Sequence, residues 1–137
     1  MNATRGERTI AVLGAALSLV LTWRIWSVVA AAQNTWPFPA LYFIELAAFT
    51  LASAILYVVS SPSRHILTWI TVGVLTAFSI LGAWTVGLYY APLAGLFLIL
   101  AVGGDLRHGG RLLMHAAVAA LAAVAEAAAI LLLARLM

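Results

Sequence analysis

Five long apolar stretches run almost end to end through this chain, and arginine marks only every second gap between them. About 20 apolar residues is the length at which a helix crosses the hydrocarbon core of a bilayer. A chain made of such segments has nothing with which to build a water-facing exterior. Of its 137 residues 66% are hydrophobic and only 8% charged, whereas soluble domains carry about a quarter charged residues. Inside lipid a backbone must satisfy its own polar groups, which favours helices. The expected fold is all-α: a polytopic integral membrane helix bundle with five transmembrane helices and short loops, one transmembrane domain over residues 1–137.

The spans are expected at about 9–32, 38–60, 65–86, 91–104 and 111–133. Gln33-Asn34-Thr35-Trp36-Pro37 has the composition of a tight connection between the first two, and Pro62 ends the second. From His65 to Gly104 the chain carries no formal charge. As one helix that stretch would be about 60 Å long, about twice the hydrocarbon thickness, so it must fold back. Gly87-Leu88-Tyr89-Tyr90-Ala91-Pro92 offers the turn, with Pro92 in the first turn of a new helix. The fourth span is then short, and a re-entrant hairpin is the alternative to a full crossing. The run from Gly103 to Arg111 reads as a helix stop, a turn in which Asp105 and Arg107 pair, and a helix start.

Cationic residues stay on the cytoplasmic side of a membrane protein. Arg5, Arg8, Arg64, Arg107 and Arg111 fall on one side of the expected threading, with Arg135 the exception. This places the N-terminus inside and the C-terminus outside. Trp23, Trp26, Trp36, Phe38, Tyr42, Trp84, Tyr89 and Tyr90 then cluster at the outer boundary, and Tyr57 and Trp69 at the inner one. The abundance of Ala and absence of Lys fit a bacterial plasma (inner) membrane protein. A cleaved signal peptide ending near Ala30-Ala31-Ala32 is the alternative reading of span one, but Trp23-Arg24-Ile25-Trp26 interrupts its apolar run.

Three ionisable residues lie well inside spans, where each costs about 2.5–3.5 kcal/mol at a helix centre. Arg24 and Glu45 both fall about 10 Å below the outer boundary, on helices joined by a tight turn, which predicts an Arg24–Glu45 ion pair. Glu126, about 10–15 Å below the same surface, completes an expected intramembrane charge cluster of Arg24, Glu45 and Glu126. Ala48 and Ala52 beside Glu45, and Gly14 and Ser18 on span one, would allow close helix approach. His115 lies three helical turns before Glu126 on nearly the same face, with Ala119 and Ala122 between them, so the two are candidate stations of a proton path.

The charge of +3 is carried by scattered arginines rather than a basic stripe, so no nucleic-acid partner is expected. The absence of Cys removes disulfide and thiolate chemistry. No nucleotide loop, HExxH or nucleophile–base set occurs. His65, His108 and His115 gather with Asp105 on the inner side, but their spacing matches no zinc signature. His65 and His115 could in principle hold a haem axially, but no cofactor is expected. No catalytic, cofactor-binding or metal residues are therefore assigned, and the chain is not expected to be an enzyme. The expected role is a structural, assembly or accessory subunit of a membrane complex or a homo-oligomer, its partners the lipid bilayer and a membrane protein. The alternative is a small proton- or ion-coupled transporter or channel using Glu45, Glu126, Arg24 and His115.

Overall fold

The computed structural model describes residues 2–32 and 39–136; the expected Gln33–Pro37 turn and the outer aromatics Trp36 and Phe38 lie outside them. Five helices follow in order: α1 (Arg5–Ala32), α2 (Ala40–Val58), α3 (Arg64–Leu81), α4 (Ala91–His108) and α5 (Leu112–Leu136), with a 3₁₀ turn at Gly87–Tyr90 leading into α4. The described residues contain no strand. All five helices are long and apolar enough to cross a membrane, and the chain is a multi-pass membrane-type helical bundle. Its outward faces are aliphatic, with Leu13, Leu17 and Val20 of α1 and Leu113, Leu121 and Leu131 of α5 exposed, as lipid contact requires.

The helix ends have local causes. Thr4-Arg5-Gly6-Glu7 forms a reciprocal capping box at the start of α1. The Glu7 N–H donates to Thr4 Oγ1 (3.2 Å) and the Thr4 N–H to Glu7 Oε2 (2.8 Å), which satisfies two otherwise orphaned donors. Thr4→Ala is expected to cost about 1 kcal/mol and to speed amide exchange over the first turn of α1, measured by hydrogen exchange. At the α2–α3 turn Ser60 adopts φ 56°. Its hydroxyl accepts from the Ala3 N–H (3.3 Å) and from Arg8 (2.8 Å), fastening the N-terminal segment across the turn.

Two boundaries depart from expectation. The third helix stops at Leu81 rather than near 86, because the chain doubles back tightly: the Gly87 N–H donates to the Gly82 carbonyl at 2.7 Å. A Cβ at Gly87 would lie 2.6 Å from the Phe78 carbonyl oxygen, so glycine is required there. The fourth helix runs through Gly103-Gly104 to His108 and ends on Gly109 at φ 66°. Gly104 is not a stop but a close approach, since a Cβ there would lie 3.0 Å from the His65 ring. Together with its 3₁₀ turn the fourth span covers Gly87–His108, long enough for a full crossing.

The central helix is α3, which packs against α2, α4 and α5, while α1 rests on α2 and α4. The expected small pair on α1 meets α4, with Gly14 against the Phe97 ring. Gly73 lets α3 and α5 come together backbone to backbone, facing Ala119, Ala122 and Ala123. An aromatic group fills the end away from Arg5, Arg8, Arg64, Arg107 and Arg111: Tyr42 and Phe43 from α2, Phe78 from α3 and Tyr90 beside α4.

Candidate functional site

Buried polar side chains collect in two places. One cluster joins α2 and α5 in the half of the bundle away from the arginines. Glu126 is 6% exposed, and its carboxyl neighbours that of Glu45. Glu126 Oε1 has no hydrogen-bond partner. Tyr42, one turn before Glu45, lies within the electrostatic reach of both acids. Two buried carboxyls side by side repel when both are charged, so the arrangement favours sharing one proton over holding two negative charges.

Arg24 is not part of this cluster, which corrects the expected Arg24–Glu45 pair and the three-residue charge cluster. Among the described residues Arg24 takes no part in an ion pair, and it is exposed. Its face differs from the expected one. Near the C-terminal end of α1 it is Trp26 that turns to α2, its ring 6.3 Å from Phe43. Two residues along a helix is a rotation of about 200°, so Arg24 points the opposite way, into a shallow groove with Val86 and Tyr89. A Glu45–Glu126 pair that shares one proton, unlike a carboxylate bound by Arg24, tolerates an amide. Glu126→Gln is expected to keep thermal stability within about 1 kcal/mol of wild type; a large loss in a detergent melt would contradict the shared proton.

The second cluster lies at the arginine-rich end and centres on Asp105, 2% exposed. Asp105 Oδ2 accepts from Trp69 Nε1–H at 3.0 Å and pairs with His115 Nδ1 at 2.8 Å. His65 Nδ1 lies 3.7 Å from Oδ1. Beside them His108 Nε2 is 3.4 Å from Glu7, and the His65 and His108 ring centroids are 5.5 Å apart. One network thus ties α1, α3, α4 and α5. The expected Asp105–Arg107 pairing is replaced, because the helix continues through this segment and sets the two residues on opposite faces. Trp69, read as a boundary aromatic, is instead a buried donor.

The three histidines and Asp105 do meet at one end, as their positions suggested. Among the described residues no group of three or more His, Asp or Glu has metal-holding geometry. His65 and His115 both face Asp105 through Nδ1, at 3.7 and 2.8 Å.

Hydroxyls line the interval between the clusters. Ser53 Oγ and Thr71 Oγ1 are 2.8 Å apart across α2 and α3. Thr68, Thr71 and Ser79 also donate to carbonyls four residues back, the usual fate of hydroxyls in membrane helices. On the stripe between His115 and Glu126, α3 packs closely against Ala119 and Ala122 at Gly73. A cavity of about 480 Å³ opens beside Tyr42, lined by Phe78, Val86, Ile130 and other largely apolar groups. Tyr42 is common to this cavity and to the surroundings of the carboxyl pair. Comparison with known proteins found no matching family model, no matching curated protein and no matching solved structure.

Proposed function

We propose that the protein is a non-enzymatic subunit of a membrane complex or of a homo-oligomer in a bacterial plasma membrane, threaded with its N-terminus in the cytoplasm. The observation that supports this is the exposure of Arg24 on a helix that is long and apolar enough to span. Arg24 sits eight residues before the end of α1, about 12 Å inside it. A cation left at such a depth is costly unless it reaches headgroups or an anion, and a neighbouring chain can supply that anion. The α1 helix is exposed along much of its length beside it, including Trp23, 72% exposed, and Val28.

Arg24→Leu is expected to leave the melting temperature of the isolated chain nearly unchanged, because the residue holds nothing within it. It is expected to abolish the assembly that the wild type keeps in mild detergent, as read by native mass spectrometry. A wild type that stays a lone monomer in nanodiscs, or an unchanged assembly in the variant, would contradict the reading.

One observation favours a second reading, a proton- or ion-coupled transporter or channel. Two carboxyls in contact inside a span, Glu45 and Glu126, form a group that can gain and release a proton. Reconstituted liposomes that acidify with wild type and not with Glu45→Gln/Glu126→Gln would favour it over the subunit reading.

A further inference from the structure

The arginine-rich end holds a second cavity, of about 410 Å³, lined by Ser60, Pro62, Arg64, His65 and His108. We propose that this cavity binds the phosphate of an anionic ester, and specifically the headgroup of an anionic phospholipid. The inference is independent of the subunit reading.

The cavity is built for an anion from several directions. The Arg64 side chain is held in place: its Nη1 donates to the Ser60 and Ser61 carbonyls at 3.2 and 3.0 Å, and its guanidinium lies 6.0 Å from the Tyr57 ring centroid. A guanidinium so fixed is a preorganised phosphate binder. Each lining imidazole has a carboxylate beside one nitrogen: His108 Nε2 lies 3.4 Å from Glu7, and His65 Nδ1 lies 3.7 Å from Asp105. His108 Nδ1, on the other side of its ring, is buried without a hydrogen-bond partner, and buried polar atoms are normally satisfied. Arg8, exposed, reaches Ser60 Oγ at 2.8 Å and so places a further cation on the rim.

The acidic groups nearby lie behind the lining. Glu7 is 3% exposed and Asp105 2%, and each is matched by a histidine. They orient the rings rather than face the cavity mouth. The cavity sits where α2 ends and α3 begins, at the level of a bilayer's headgroups. A lipid phosphate is therefore within reach without leaving the membrane, and basic groups at that level attract anionic lipids.

The test uses the full chain in mild detergent, with melting temperature and lipid retention in native mass spectrometry as readouts. Probes are phosphatidylglycerol, phosphatidylcholine and inorganic phosphate. Phosphatidylglycerol is expected to raise the melting temperature saturably and to be retained, and phosphatidylcholine is not. Arg8→Gln, at an exposed rim position, and His108→Gln are each expected to weaken that effect by about tenfold, the scale of a hydrogen bond to a charged group. Arg107→Gln, exposed at the same end but outside the cavity, should leave it intact. A matching shift from inorganic phosphate would support the phosphate site and assign it to a soluble ester instead of the lipid. Indifference to all three probes, or equal weakening by Arg8→Gln and Arg107→Gln, would overturn it.

Discussion

Asp105→Ala is expected to destabilise the bundle by about 3–5 kcal/mol, the range for removing one partner of a buried polar pair. The carboxylate is almost fully enclosed and takes both the Trp69 indole N–H and His115 Nδ1 on one oxygen. Removing it leaves two donors of different helices facing apolar space, each costing about 1–3 kcal/mol. Asp105→Asn keeps one acceptor oxygen and should fall between the variant and the wild type. Trp69→Phe deletes a donor along with its demand and should cost less than Asp105→Ala. Thermal melts in detergent give the ranking: Ala worst, Asn intermediate, Trp69→Phe mildest. A benign Asp105→Ala would mean that the network does not hold α3, α4 and α5 together.

Gly73→Ala is expected to cost about 3 kcal/mol and to loosen α5 selectively. The added methyl would run into the Ala119 carbonyl oxygen and lie 2.9 Å from Ala122 Cβ and 3.0 Å from Ala123 N. Two of those contacts are backbone, which cannot swing aside, so α5 must move outward. Overpacking of this kind typically costs about 1–3 kcal/mol, occasionally more. The upper end applies because α5 leans almost wholly on α3 and is the least buried span, 11% of its apolar window against 61% for α3. Gly95→Ala is the matched control, since a Cβ there meets nothing within 4 Å. Alanine in an open helical position should be neutral or stabilise by about 0.5–1 kcal/mol. Hydrogen exchange should show faster opening of α5 in Gly73→Ala and no change in Gly95→Ala.

Much of the architecture was legible because hydrophobic length alone decides it: five segments of spanning length leave few other folds for a chain with so little charge. The errors arose where a residue type has two physical uses. Gly103-Gly104 reads as a helix stop, but Gly104 serves a close approach to His65, and the helix continues until Gly109 takes a positive φ. Gly82 and Gly87 shifted the end of α3 for the same reason, since contact between their backbones needs a tighter turn than the apolar pattern reveals.

Direction around a helix was the harder thing to read. Counting residues placed Arg24, Glu45 and Glu126 at similar heights, and Glu45 does meet Glu126. The face of α1 depends on which aromatic docks on α2, and Trp26 against Phe43 turns Arg24 away. No local pattern announces that choice. The Asp105 network was open to the same arithmetic. Trp69, Asp105 and His115 lie five, three and three residues from the same end of their helices, a shared depth that a buried donor and acceptor would exploit. The capping box at Thr4-Arg5-Gly6-Glu7 was also visible as a signature.

A chain without native cysteine allows the contact between α2 and α5 to be probed directly. Glu45→Cys/Glu126→Cys and Arg24→Cys/Glu45→Cys would each be treated in membranes with a short bifunctional thiol reagent, and the linked peptides identified by mass spectrometry. Cross-linking within one chain of the first pair, with little from the second, is the outcome expected of two carboxyls that meet while Arg24 faces away. Efficient linkage of positions 24 and 45 with none between 45 and 126 would contradict the packing on which the buried carboxyl pair depends.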